Sequence, residues 1–257
     1  MKLNNGIEMP QLGFGVGGSF DKPRTEELVG EALKLGFKKV DTASKYGNEE
    51  PVGKAIKGLD VFVTTKVYND EYKDVQAAFN RSFAKLGKID LYIMHFPVTD
   101  TRLSAWKQME EIYSAGKCKA IGVSNYMVPH LKELLANSSI VPAVNQVEFN
   151  PFLFNKELLD FCKSHGIILE AYGPLVRGQK FKHPVIAEMA KKYSKTPAQI
   201  LLQWGIEHGI SVITSASHPD RMKENLDIEF KISSEDMMKL DSLNENLHLF
   251  WDPTNTP

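Results

Sequence analysis

The chain has 257 residues and a formal net charge of −1, with acidic and basic side chains interspersed, which excludes the broad basic field of a nucleic-acid or membrane-surface binder. Its 42% apolar residues suffice for one large core, and no stretch approaches the ~18 consecutive apolar residues of a membrane span. Cys118 and Cys162 lie far apart without metal-ligand or disulfide-framework spacing, and residues 1–6 lack a signal-peptide apolar run, so a reduced, cytoplasmic setting is expected.

The Asn5-Gly6 pair between short β-prone stretches predicts an N-terminal β-hairpin. Short apolar runs then alternate with helically spaced stretches to the end of the chain. The runs at 11–16, 38–42, 61–67, 89–96, 119–124, 143–148, 167–172 and 211–215 read as eight strands. Those at 61–67 and 89–96 are apolar nearly throughout, as parallel strands covered on both faces are. Asn155 reads as a helix cap, Thr196-Pro197-Ala198-Gln199 as a capping box with proline at the first helical position, and Ser233-Ser234-Glu235-Asp236 as a third helix start. Eight βα units without a Pro/Gly/Ser-rich linker predict a (β/α)8 TIM barrel occupying residues 1–257 as a single domain.

Two nucleotide motifs fail on context. Gly13-Phe14-Gly15-Val16-Gly17-Gly18 satisfies GxGxxG, but Pro10 interrupts the preceding strand and Ser19-Phe20-Asp21-Lys22-Pro23 delays the helix that should meet a pyrophosphate. Asn48 to Ala55 brushes a P-loop pattern yet lacks its first glycine and its final hydroxyl.

In a barrel, chemistry belongs at the C-terminal ends of the strands. Read in order, those ends give Asp41, Lys66, His95, Ser124-Asn125, Glu148, Tyr172 and Ser215, with Gln146 just inside the sixth strand. Singly, Asp41 could cap a turn, Lys66 could snorkel to solvent, His95 could be a core histidine, and Tyr46 could be an ordinary loop aromatic. Jointly they suit carbonyl reduction. Tyr46 serves as proton donor, and the Lys66 cation lowers its pKa from an unperturbed value of about 10. Asp41 anchors the lysine, and His95 orients the substrate oxygen.

At these residues the chain resembles the aldo-keto reductase family, in particular its short-loop bacterial and protist members of the aldose, diketogluconate and prostaglandin F reductase type. The resemblance rests on Val40-Asp41-Thr42-Ala43, Tyr46-Gly47-Asn48-Glu49, Thr65-Lys66-Val67 and His95-Phe96-Pro97. It implies that Ser124, Asn125 and Gln146 bind a nicotinamide carboxamide and that Tyr172, with Leu175 beside it, lies under the nicotinamide ring. It further implies that Ser215, Arg221, Glu224 and Asn225 hold the adenosine end. Thr214-Ser215-Ala216 stands where the family usually has Pro-Lys-Ser, so the usual phosphate-pairing lysine is missing. Arg221 can still clamp a 2′-phosphate, so NADPH/NADP is expected, with NADH a weaker alternative. Gly17, Tyr68 and Phe96 occupy positions where tryptophans are common, leaving Phe20, Tyr68, Phe96 and Trp251 to line an apolar entrance. Short segments at 98–104, 176–183 and after Leu247 predict an open pocket tolerant of varied aldehydes and ketones. A monomer acting on a small carbonyl substrate, with no nucleic-acid, membrane or metal partner, is expected. Two other readings remain: a redox-sensing barrel that binds cofactor without turnover, and a metal-dependent hydrolase or lyase using Asp41 and His95. The intact Asp-Tyr-Lys-His set opposes the first; the lack of a third ligand with suitable spacing, and the repulsion of a metal by Lys66, oppose the second.

Overall fold

Eight parallel strands close into one barrel in chain order in this computed structural model, which describes residues 1–17 and 22–256. The strands are β1 (Leu12–Gly15), β2 (Lys39–Asp41), β3 (Phe62–Val67) and β4 (Leu91–Met94), followed by β5 (Ala120–Ser124), β6 (Val144–Glu148), β7 (Ile168–Tyr172) and β8 (Ser211–Thr214). β8 pairs with β1 through Leu12 and Val212, which completes the closure. All eight predicted strands are present. β4 is shorter than the predicted run, although Asp90 N–H to Val63 O and His95 N–H to Val67 O continue its bonding to β3.

Ten α-helices lie among the described residues. They are α1 (Thr25–Leu35), α2 (Glu49–Ile56), α3 (Val75–Leu86), α4 (Arg102–Ser114), α5 (Val128–Asn137), α6 (Lys156–Ser164), α7 (Pro184–Tyr193), α8 (Pro197–Glu207), α9 (Pro219–Leu226) and α10 (Ser234–Asp241). The predicted caps form: Asn155 accepts from Leu158 N–H at 2.9 Å, Thr196 and Gln199 bond reciprocally, and Ser233 accepts from Asp236 N–H at 3.2 Å. No helix among the described residues is long and apolar enough to cross a membrane.

Strand alternation divides the interior in two. Outward-facing Val40, Val63, Met94, Val123, Val147, Ala171 and Val212 pack with the helices in the main core. At the N-terminal end of the barrel a smaller apolar plug, including Phe62, Leu91, Ile93 and Val144, is capped by Leu3 and Met9. Those two residues come from the predicted hairpin, which is reduced to a Lys2–Glu8 antiparallel bridge turning at Gly6, whose φ of +86° suits glycine. Toward the other end the inward positions are polar: Lys39 and Asp41 on β2, Thr64 and Lys66 on β3, Gln146 on β6 and Glu170 on β7 are all buried. Buried polar groups of this kind persist only when hydrogen-bonded to one another or reserved for a ligand.

Candidate active site

Asp41 ends β2 and Lys66 lies one residue before the end of β3, so the barrel rim brings their side chains together. Lys66 Nζ donates to Asp41 Oδ1 at 2.6 Å and to the Thr42 carbonyl at 2.9 Å. Tyr46 sits on a one-turn 3-10 helix (Ser44–Tyr46) directly after β2, with the Lys66 ammonium 5.3 Å from its ring centroid. His95 follows β4, and its ring meets that of Tyr46 edge-on at 5.7 Å. Thus three strand ends and one loop converge on Asp41, Tyr46, Lys66 and His95.

Two residues not singled out by role from the sequence hold the Tyr46 loop. Asn48 accepts from the Thr42 hydroxyl at 2.6 Å and donates to the Val16 carbonyl at 2.8 Å, tying the loop to β1 and β2. Glu49, buried at the start of α2, accepts from the Thr65 hydroxyl at 2.8 Å. Gly13 and Gly17 of the rejected dinucleotide motif serve the same neighbourhood by their lack of side chain. A Cβ on Gly13 would lie 2.4 Å from Lys39 Cε, and one on Gly17 would lie 2.7 Å from the Tyr46 ring.

Burial dominates the electrostatics. It raises the Tyr46 phenol above its ordinary value, with Lys66 pulling it back down and Asp41 pushing it up. The expectation of a lowered phenol is therefore met only in part: the cation acts in the expected sense, but desolvation outweighs it. Burial also raises Asp41 against the pull of Lys66. Burial disfavours the Lys66 ammonium, but Asp41 and the Tyr46 oxygen more than offset that, so its pKa lies above the usual value. His95 is driven well below its ordinary pKa by burial and by the Lys66 charge, which keeps the imidazole neutral. Its Nδ1 has no hydrogen-bond partner among the described residues.

The other rim residues form a connected set. Asn125 adopts a left-handed backbone with φ of +65°, which asparagine tolerates better than most residues. Its Nδ2 donates to the His95 carbonyl at 3.0 Å and its Oδ1 accepts from the Tyr172 hydroxyl at 2.8 Å. The Ser124 hydroxyl donates to the Gln146 carbonyl at 2.7 Å. Gln146 Nε2 donates to Asp41 Oδ2 at 2.9 Å and to Glu170 Oε1 at 2.8 Å, which leaves its Oε1 without a protein partner among the described residues. Glu170 in turn pairs with Lys39, a buried contact that sequence reasoning missed although a charge at the start of β2 and another in the middle of β7 signalled it.

Farther out, Ser215 and Arg221 are exposed, and Arg221 has no ion-pair partner among the described residues. The Glu224 carboxylate accepts from the Thr196 hydroxyl at 2.6 Å, and buried Asn225 donates to Thr214 Oγ1 at 3.0 Å. Leu175 is half-buried beyond Tyr172. Tyr68 meets His95 edge-on at 5.6 Å, Phe96 stacks on His95 at 4.8 Å, and Trp251 meets Phe96 at 5.0 Å. Phe20 lies outside the described residues. The tail is less open than expected. Glu148 accepts from the backbone N–H groups of Leu249 and Phe250, and Phe250 packs edge-on against Tyr172 at 5.3 Å. One side of the mouth is thereby walled.

The model of the aldo/keto reductase family matches residues 11–245. The chain belongs to the aldo/keto reductase family. Among curated members, the glyoxal reductase of Bacillus subtilis (strain 168) is 43% identical over 256 residues, covering 96% of this chain and 93% of its own. Among solved aldo-keto reductases, the enzyme MGS-M4 from a Medee basin deep-sea metagenome library superposes with a TM-score of 0.93 at 40% identity, covering 100% of this chain and 99% of that one. A variant of Gox0644 in complex with NADPH superposes with a TM-score of 0.95 at 34% identity, covering 100% and 98%. This aldo/keto reductase is thus an oxidoreductase whose whole barrel, from hairpin to tail, has counterparts in that family.

Proposed function

We propose that this aldo/keto reductase reduces aldehydes or ketones to alcohols with NADPH, Tyr46 giving the proton, Lys66 and Asp41 tuning it, and His95 orienting the carbonyl. The observation that carries the reading is the convergence of a phenol, an ammonium paired at 2.6 Å with a carboxylate, and a neutral imidazole on one rim. NADPH supplies the hydride when bound. The Gln146 amide fits such a cofactor. Both of its N–H groups point at carboxylates, so it offers only an acceptor, which suits a carboxamide N–H. Ser124, Asn125, Tyr172 and Leu175 would shape the nicotinamide end, and Ser215, Arg221, Glu224 and Asn225 the adenosine end. A related structure that contains NADPH supports the choice of cofactor.

As negative charge develops on the substrate oxygen, Tyr46 transfers its phenolic proton there, and the Lys66 cation stabilises the phenolate that forms. Asp41 keeps that cation in place and offsets the cost of its burial. His95, neutral and hence able to donate from one nitrogen only, holds the carbonyl oxygen toward Tyr46. Tyr68, Phe96 and Trp251 give the entrance an apolar wall that favours uncharged or aromatic carbonyl compounds. We further read residues 1–257 as one domain acting as a cytoplasmic monomer. The hairpin that plugs one end of the barrel and the tail that walls the other support one domain.

The test is NADPH oxidation with a reactive aromatic aldehyde, wild type beside Tyr46→Phe. The variant should bind NADPH with nearly wild-type affinity and lose reduction. Undiminished turnover would remove Tyr46 as the proton donor.

A further inference from the structure

The catalytic Asp41–Lys66 pair is one half of a larger buried set. Lys39 lies two residues before Asp41 on β2 and points into the same interior layer. Its Nζ donates to Glu170 Oε2 at 2.5 Å and to the Ser211 hydroxyl at 2.6 Å. Ser211 is in register with Glu170 across β7 and β8, and its hydroxyl also lies 2.6 Å from Glu170 Oε2. Glu170 Oε1 and Asp41 Oδ2 are bridged by the single nitrogen of Gln146. A continuous hydrogen-bonded path therefore runs from Ser211 and Lys39 through Glu170, Gln146 and Asp41 to Lys66 beside Tyr46. Lys39, Glu170 and Ser211 are fully buried. The barrel wall is cut back to admit them, since a Cβ on Gly13 would strike Lys39 Cε at 2.4 Å.

Two carboxylates sharing one amide nitrogen repel each other unless a cation balances the second. Lys39 is that cation. We propose that Lys39, Glu170 and Ser211 form a charge-balanced clamp that acts through Gln146 on Asp41, making Lys39 and Glu170 positioning residues that set the electrostatic field at Lys66 and Tyr46. The inference rests on the reading of Tyr46 as proton donor. The charges that act on Lys66 are those of Asp41 from β2, of Tyr46 itself and of Glu170 from β7. The neutral His95 after β4 meets the Tyr46 ring, Gln146 from β6 bonds Asp41, the neutral phenol of Tyr172 lies on β7, and Lys45 and the Ser44 partner Glu71 flank the Tyr46 turn. Of these, Glu170 is the fully buried charge outside the tetrad, and Lys39 is its partner. The charge of Glu170 is felt at both Asp41 and Lys66, in the sense that raises each.

The signs follow. Neutralising Glu170 leaves Lys39 as an added positive charge, which favours the phenolate. Removing the Lys39 cation leaves Glu170 as an added negative charge, which disfavours it. In the alcohol-oxidising direction with NADP, where phenolate is the base, activity rises with pH as Tyr46 loses its proton. That ascending limb should move to lower pH in Glu170→Gln and to higher pH in Lys39→Met, each by about one unit for charges under ~10 Å apart at an effective dielectric near ~20. The double variant should return toward wild type. A residue with a merely structural role would lower kcat at every pH and leave the limb in place, so limbs of both single variants that coincide with wild type would overturn the proposal. Should the unpaired charges prevent folding, Ser211→Ala leaves every charge partnered. It removes a donor to Glu170 and should move the limb in the same direction as Lys39→Met, by a smaller amount. An unmoved limb there also overturns the clamp. Tyr46→Phe, run in parallel, separates the two readings. If turnover and limb survive in that variant, the proton-donor reading fails. If they vanish while the clamp variants leave the limb unmoved, only the clamp fails.

Discussion

Gly17→Ala is the most direct geometric test of the proton-donor position. The methyl carbon would be placed 2.7 Å from Tyr46 Cε2 and Cζ and 2.9 Å from the phenolic oxygen, against ordinary contact beginning at 3.4 Å. The ring must therefore retreat by roughly 0.7 Å, or the strand end must move by as much. Lys66 and His95 already stand near the ring, so the phenol is displaced rather than accommodated. Displacement of a reacting group by ~1 Å costs on the order of 100-fold in rate, so kcat for aldehyde reduction should fall by about 10- to 100-fold. Gly17 has no left-handed backbone to forbid alanine, so the fold should persist and the melting temperature should stay near wild type. The assay is steady-state NADPH oxidation at saturating aldehyde, with the melting temperature measured on the same preparation. An unchanged kcat in a folded Gly17→Ala variant would refute the placement of Tyr46 against the segment that follows β1.

Arg221→Ala removes an exposed guanidinium that has no ion-pair partner among the described residues, and should weaken NADPH by about 10-fold or more while leaving NADH nearly unchanged; equal losses in titrations of both cofactors would dismiss a phosphate role. Asp236 is a pH-linked stability site. Burial alone would raise its carboxyl, but Lys192, Tyr193 and Ser233 outweigh that and hold it down at about 2 from an ordinary 3.8. A folded-state value below the unfolded one contributes stability above about pH 4 that is lost as pH falls toward about 2. Because Lys192 is half exposed and screened, the contribution is about 1 kcal/mol. Asp236→Asn should therefore be less stable than wild type in neutral denaturant melts, with the difference closing in acid, and a difference independent of pH would exclude the linkage.

Much of the barrel was legible in the sequence because the strands are short apolar runs, several of which end in a polar residue, and because helices such as α6, α8 and α10 open on a side chain that bonds the first turn. Asp41, Lys66 and His95 could be picked out because polarity at the end of an otherwise apolar run has no packing use. The dinucleotide-like glycines could be rejected but not explained, since their reason lies in Lys39 and Tyr46, which approach from other segments of the chain. Lys39 and Glu170 carry no mark in the sequence beyond being charges within β2 and β7. They become a pair only when closure of the barrel sets residues 131 apart within 2.5 Å. The tail likewise looked like a short, open end, whereas Glu148 on β6 captures its backbone and brings Phe250 and Trp251 over the mouth. Local periodicity and capping are written in neighbouring residues, and so determine the elements and the strand-end polarity. The phenol's net pKa, the orientation of the Gln146 amide and the shape of the entrance depend on desolvation and on partners distant in sequence, and only the closed barrel decides them.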